Sequence, residues 1–320
     1  MTQSTEQPGF LDAGAVAIPD YPAASYFADD CLPPADAPAL SASLASDFRK
    51  HGPARAMWRA RQDKAGAYKA NLMFGSVAHS VILRQSGWRE EIAVLPEEYR
   101  DYRNPAAKAW RDAQIRSGKL PIKRAEFDEV LSMRDAWTGS ELAGLLTCDG
   151  RSEFSIFWRC PETFCTLKCR WDFLPSEAYL RAGYAALDYK TTESLTDWPR
   201  KSIMNFDLML RAALYYESIV QWLGEPANMA YAVQEKKPPY DIQVFHLALR
   251  EGAAKPEHVE FIEAGREQLR RVKEQFRACR QTNRWPKRRE LVSFPVDTGL
   301  VARVRNRPAV AVSDKEFVEI

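Results

Sequence analysis

Three residues in the middle of the chain could do chemistry together: Asp172 in an expected strand Thr166–Leu174, and Asp188 with Lys190 in an expected strand Gly183–Lys190. Residues i and i+2 of a strand point to the same face, so Asp188 and Lys190 project together. Carboxylates on neighbouring strands can hold Mg²⁺, a hard cation that takes oxygen ligands, while an ammonium beside it orients or helps deprotonate an attacking water. That arrangement serves phosphodiester hydrolysis. An Asp-x-Lys triplet alone decides nothing, because surface strands produce it by chance. Upstream, Gly75 and His79 lie four apart and share one face of an expected helix. The glycine allows another element to come close. His79, one of four histidines, offers a nitrogen ligand or a phosphate contact, or else sits as a satisfied core histidine. Glu153 opens the strand before that of Asp172 and by itself reads as an edge carboxylate.

The elements that would position these groups follow from periodicity. Helices are expected over Leu44–Arg61, Asn71–Arg84 (with Leu72, Met73, Val77, Val81 and Ile82 at helical spacing), Pro105–Arg116 and Ala125–Leu146. From Ser152 the period shifts towards two. Glu153–Arg159, Thr166–Leu174 and Gly183–Lys190 are short apolar runs separated by Cys160-Pro161-Glu162-Thr163 and Pro175-Ser176-Glu177, the pattern of a β-meander. A helix over Ile203–Trp222, strands over Met229–Gln234 and Ile242–Leu249, and an amphipathic helix over Glu257–Arg280 complete the order. Helices, antiparallel strands, helix, strands and helix in that order predict an α/β fold, a mixed sheet flanked by helices in a single domain.

The chain of 320 residues, 46% hydrophobic and 28% charged, can bury a sizeable core. No stretch approaches the roughly 18 uncharged apolar residues of a membrane span, and the N-terminus lacks a basic-then-apolar secretory pattern. A cytoplasmic protein is expected, and six irregularly spaced cysteines fit a reducing compartment. The net charge of +2 hides a polarity: residues 1–48 hold seven acids and no Lys or Arg, leaving 45 basic against 36 acidic residues in the body. Such asymmetry is compatible with a nucleic-acid partner. Six prolines among Ala, Ser and Asp in residues 1–40 predict an acidic arm without a fold of its own. The domain plan is therefore an arm over 1–40, a catalytic domain over 41–290 and an extension over 291–320.

Taken in order, Gly75-x-x-x-His79, Glu153, Arg170-x-Asp172, Asp188-Tyr189-Lys190 and the helix containing Tyr215 resemble the PD-(D/E)XK nuclease superfamily. More narrowly they resemble its exodeoxyribonuclease VIII (RecE-type) branch, which is similar to the nuclease domains of RecB and Cas4 proteins. Lys168-Cys169-Arg170-Trp171-Asp172-Phe173, Asp188-Tyr189-Lys190-Thr191-Thr192, Gln234-Glu235-Lys236 before Pro-Pro-Tyr, and Trp285-Pro286 carry the local likeness. The resemblance implies a restriction-endonuclease-like fold and a Mg²⁺-dependent exonuclease, with Mn²⁺ as a substitute. It would hydrolyse double-stranded DNA ends in the 5′→3′ direction, in phage or mobile-element recombination. It further implies a homo-oligomer and a RecT-type single-strand annealing partner. His79, Asp172, Asp188 and the Tyr189 carbonyl would form the metal site, Asp188 as the bridging carboxylate; Lys190 would position water, and Glu153 would stand at the edge of the site. Where the family commonly carries Gln-x-x-x-Tyr, this chain reads Arg211-Ala212-Ala213-Leu214-Tyr215, so a guanidinium could grip a phosphate instead.

Further DNA contacts are expected from Arg170, Arg211, Tyr215, Lys236 and Lys237. Arg270 and Arg277 join them, within a run of ten basic residues against two acids between Ala264 and Arg289. The alternative for that run is a solvated helix face and a basic loop. Cys160, Cys165 and Cys169 lack a Cys-x-x-Cys pair and precede the end of the domain, so no iron–sulfur cluster is expected. A phosphate-cradling Gly-x-x-x-x-Gly-Lys-Ser/Thr loop does not occur, which argues against an ATP-driven motor. The rival functions are a nuclease of another kind, Cas4-like or a repair endonuclease, and a non-catalytic DNA-end-binding accessory.

Overall fold

Local sequence signals set most of the element boundaries. The computed structural model describes residues 14–19, 21–32, 37–61, 70–84, 87–146 and 148–287. The expected extension 291–320, the first thirteen residues of the arm, and Arg288 and Arg289 of the basic run lie outside the described residues. The elements are β1 (Val16–Ile18), α1 (Ala23–Ala28), β2 (Leu40–Ser41), α2 (Ala42–His51), α3 (Pro53–Arg61), α4 (Ala70–Leu83), α5 (Trp88–Glu91), β3 (Ile92–Val94), α6 (Pro105–Arg116), β4 (Leu120–Ile122) and α7 (Arg124–Thr138). After a 3₁₀ segment (Glu141–Leu146) come β5 (Gly150–Arg159), β6 (Thr166–Pro175), α8 (Glu177–Ala182), β7 (Ala186–Thr192), α9 (Trp198–Phe206), α10 (Leu208–Leu223), β8 (Met229–Glu235), β9 (Ile242–Leu247) and α11 (Pro256–Thr282).

The single helix expected over Leu44–Arg61 is two. Ser41 caps α2 by accepting the Leu44 N–H (3.3 Å), Gly52 at φ 79° ends it, and Pro53 opens α3. The expected Ala125–Leu146 helix likewise stops at Gly139 and continues as the 3₁₀ segment. The expected Ile203–Trp222 helix starts earlier and breaks at Asp207, whose φ of 56° ends α9 and opens α10. Pro105–Arg116 forms as expected, capped by Asn104 accepting the Ala106 N–H at 2.8 Å.

One mixed sheet runs in the order β1-β5-β6-β7-β8-β9, with β2 pairing in parallel with β6; β3 and β4 form a separate parallel pair. Neighbours are antiparallel except β7 and β8, whose parallel pairing follows from the α9–α10 crossover between them. The meander expected over 153–190 is interrupted by α8, because Ser176 and Glu177 start a helical turn rather than a tight hairpin. β6 and β7 share one register pair, Phe173↔Leu187, and so form a fork in the sheet.

The sheet separates two cores. On one face Ile156, Trp158, Leu167, Cys169, Trp171, Met229, Tyr231 and Val233 pack against α2, α10 and α11. On the other, Phe173, Leu187, Tyr189, Ala230 and Ala232 meet α4 and α7. Gly265 is what lets α11 cross α10: a Cβ there would stand 2.0 Å from the Met209 carbonyl oxygen.

The foldless arm is the largest correction at this scale. Val16–Ile18 adds an edge strand to the sheet, pairing Val16 with Phe157 and Ile18 with Ser155. Tyr26 and Leu32 bury themselves with Phe157 in a small third core. Three aromatic or aliphatic anchors and an available sheet edge outweigh the proline-rich composition.

Candidate active site

The site forms at the β6–β7 fork. Where the strands part, the Asp172 carboxylate takes over a ladder position: its Oδ2 accepts the Tyr189 N–H at 2.7 Å. Its Oδ1 faces His79 Nδ1 of α4 at 3.5 Å, and Lys190 Nζ is 3.6 Å from Oδ2. Lys190 also bonds Asp188 and donates to the Tyr189 carbonyl at 3.0 Å. Oxygens from Asp172, Asp188 and Tyr189 thus converge on one cationic group. Asp172 is the carboxylate that faces both His79 and Lys190.

Glu153 stands opposite Asp172 in the β5–β6 register, between the pairs Ser152↔Phe173 and Phe154↔Trp171. Its φ of 55° is in the left-handed region, which residues other than glycine seldom occupy. At this pair the strand alternation changes phase: Trp171 belongs to one core and Phe173, two residues on, to the other. The backbone twist at Glu153 thereby brings its carboxylate towards His79 and Asp172. Ligand atoms of His79, Glu153 and Asp172 all lie within 4.8 Å of one another.

Charge is unevenly held. Burial opposes ionisation of Asp172, but His79 and Lys190 outweigh it and keep the carboxyl well below the usual range. Burial raises Asp188 to about 7, helped by the Asp172 charge and opposed by Lys190. Burial lowers and Asp172 raises the pKa of His79, with a net rise; burial likewise opposes Lys190, and the two aspartates raise it. Burial lifts the Glu153 carboxyl in spite of the adjacent Arg170. One imidazole nitrogen with two carboxylates, and further oxygens from Asp188 and Tyr189 alongside, fits a divalent cation that prefers oxygen donors.

The fork opens into a cleft of about 1610 Å³. Gly75 and His79 of α4, Glu153, Arg170, Asp188, Lys190, Arg211, Tyr215 and Lys236 all line it. Tyr215 packs edge-on against Trp171 at 4.8 Å and donates its hydroxyl to the Arg170 carbonyl at 3.1 Å. Gly75 does not mark a tight crossing: a Cβ there would meet Thr191 Oγ1 at 4.0 Å, an ordinary contact. Lys236 is paired with Glu193 at 3.0 Å.

Other expected contacts fall elsewhere. Lys237 pairs with Glu129 at 3.1 Å and is absent from the cleft lining. Among the described cleft residues none comes from α11, whose arginines are matched along the helix: Arg270 with Glu267 and Glu274, Arg271 with Glu267 and Arg266 with Glu263. Arg277 donates to the Glu162 carbonyl at 3.3 Å. Acids one turn away thus pair with Arg266, Arg270 and Arg271, as on a solvated helix face. Arg170, expected to meet DNA, has a side chain only 11% exposed and ion-paired to Glu153 at 2.7 Å. Sequence reasoning missed Tyr21, Phe27, Arg151, Trp198 and Lys201 as cleft residues; the first two belong to the segment dismissed as an arm, where aromatic anchors were the available signal.

No curated protein matches the chain at a significant level. A 2.19 Å crystal structure from Eubacterium rectale, named "Putative exonuclease", is similar over 88% of this chain and 97% of that one, with a TM-score of 0.50 and 15% identity. At that identity the likeness shows the fold alone. The model of a family described as "PDDEXK-like domain of unknown function (DUF3799)" matches residues 41–294, some four fifths of the sequence, and the chain belongs to that family within the PD-(D/E)XK nuclease-like proteins.

Proposed function

We propose that the protein is a divalent-metal-dependent exonuclease that hydrolyses phosphodiester bonds from the ends of double-stranded DNA, in the 5′→3′ direction of the RecE-type enzymes its motifs resemble. The observation that carries this reading is the convergence of His79, Glu153, Asp172, Asp188 and Lys190 from four elements on the β6–β7 fork, at the floor of an open cleft. His79, Glu153 and Asp172 would hold the cation, with Asp188 and the Tyr189 carbonyl beside them. When bound, a divalent cation stabilises charge on the phosphoryl oxygens and lowers the pKa of the attacking water.

The chain's own groups do the rest. Lys190, held between Asp188 and the Tyr189 carbonyl, keeps a charged donor at the point where an attacking water must be oriented. Asp172, fixed through Tyr189 N–H and His79, keeps the negative charge that the ammonium and the cation both need. Arg211 offers the cleft a guanidinium where relatives carry Gln, suited to two oxygens of one phosphate. Tyr215 steadies the Arg170 backbone next to Asp172.

End dependence is the test. Linear duplex and covalently closed circular DNA are incubated with Mg²⁺. The linear form is expected to disappear while the circle stays intact. Cutting of the circle would replace the exonuclease with an endonuclease; retention of both forms with gel retardation would favour the binding accessory.

A further inference from the structure

The N-terminal segment makes polar contacts in a row along one strand. Lys168, Arg170 and Asp172 alternate along β6, with Cys169 and Trp171 turned into the core between them. Lys168 is buried and bonds Asp29 at 2.7 Å and the Tyr26 carbonyl. The Arg170 guanidinium donates to the Tyr21 carbonyl and pairs through Nε with Glu153. Tyr26 lays its ring beneath both cations, 4.5 Å from Lys168 Nζ and 5.4 Å from the Arg170 guanidinium carbon. Residues 21–29 therefore grip the first two charges of the row, and Arg170 passes that grip to Glu153.

Glu153 is the residue that needs it. Its backbone is left-handed, its carboxyl is largely buried, and it sits across from Asp172. Arg170 is ion-paired with the Glu153 carboxylate through Nε, while its Nη2 donates to the Tyr21 carbonyl, so one planar guanidinium ties the two together. A lysine in its place would offer a compact point charge without the planar fork.

We infer that Arg170 is a positioning residue, clamped by the N-terminal segment, that holds Glu153 in its left-handed conformation as part of the cation site. Residues 21–29 thus belong to the catalytic apparatus rather than to a dispensable arm. The inference rests on the metal-site reading above, but its readout does not require cleavage.

The experiment is a double-mutant cycle on the full chain, with Mn²⁺ binding measured by titration calorimetry without DNA. Arg170→Ala is expected to weaken Mn²⁺ binding by about 10–100-fold, the usual effect of losing an outer-shell partner, and Glu153→Ala, which removes a ligand, by at least as much. The double variant should be no weaker than Glu153→Ala, since Arg170 acts through that carboxylate. Arg170→Lys should recover part of the loss and serves in place of Arg170→Ala if the latter fails to fold. Asp29→Asn, which loosens the clamp without touching the site, should shift Mn²⁺ binding in the same direction by a smaller factor. DNA retention in EDTA should be unchanged by Arg170→Lys. Independent, multiplying losses in the cycle, unchanged Mn²⁺ affinity in the Arg170 variants, or a wild type that binds no Mn²⁺ would each overturn the inference. Loss of DNA retention in EDTA would return Arg170 to a phosphate contact. A wild type that binds Mn²⁺ with the expected coupling yet leaves DNA intact would sink the nuclease reading and keep this one.

Discussion

The ammonium of Lys190 and the carboxylates of Asp172 and Asp188 are useful only as a set. Asp188 is buried, Asp172 nearly so and Lys190 partly exposed, and the charge of each is set by the others. Removing Lys190 with Lys190→Ala should lower the maximal cleavage rate by about 10²–10³-fold, the range seen when a preorganised charge is deleted from a site. The dissociation constant for duplex measured in EDTA should change little, and equal losses in both would make Lys190 a DNA anchor. These residues were legible in the sequence because a spacing of two on a strand fixes a common face. Glu153 was legible as a candidate at the edge of the site, but not in its backbone conformation. Its left-handed backbone and its place opposite Asp172 are set by strand register, which no local pattern announces. The burial of Arg170 and its pairing with Glu153 were hidden for a related reason: they depend on the neighbouring strand and the N-terminal segment.

At the scale of elements, two joints hold the helical layer that carries Arg211 and Tyr215. One is the crossing of α10 and α11 at Gly265, where a methyl group would collide with the Met209 carbonyl. Gly265→Ala should cost about 1–3 kcal/mol, as overpacking does, and lower the melting temperature; an unchanged melt would mean the helices part freely. The other joint is Asp207, a side chain only 1% exposed between α9 and α10, bound to Ser46 at 2.6 Å, to Arg49, and to Lys50 at 3.2 Å. Burial pushes its pKa up, but Arg49 and Ser46 prevail and hold it below the usual value. A depressed folded pKa means stability that is present above the unfolded value of about 3.9 and is lost as pH falls through the folded one. Asp207→Asn should therefore cost about 1–3 kcal/mol at pH 7, the scale of a charged hydrogen bond. In urea denaturation the gap from wild type should narrow as the pH falls below 4, and a constant gap would point to packing instead. Neither joint was legible beforehand. A glycine in a helical pattern and an aspartate inside an apolar run become informative only when the partner helix is known. The strands and the longer helices were legible because they bury one face or two with a regular period; α1, β1 and α8 were not, being too short to show one.

For the whole molecule, the proposed function puts the DNA path in the cleft rather than along the most basic stretch of sequence. Arg266, Arg270 and Arg271 of α11 are matched by acids on the same helix, whereas Arg211 lines the cleft. In EDTA, Arg211→Ala should reduce the slope of log affinity for duplex against log salt by about one, as loss of one phosphate contact does. Arg270→Ala should leave that slope unchanged; the reverse pattern would move the DNA path onto α11. The central claim is that the fork residues form a metal-dependent nuclease site acting from DNA ends. Its most direct test is digestion of a linear duplex, labelled separately at its 5′ and 3′ ends, by wild type and Asp188→Ala in Mg²⁺ or EDTA. The account predicts that only the wild type with Mg²⁺ releases nucleotides, beginning with the 5′ label. Equal release by Asp188→Ala, or release in EDTA, would contradict it.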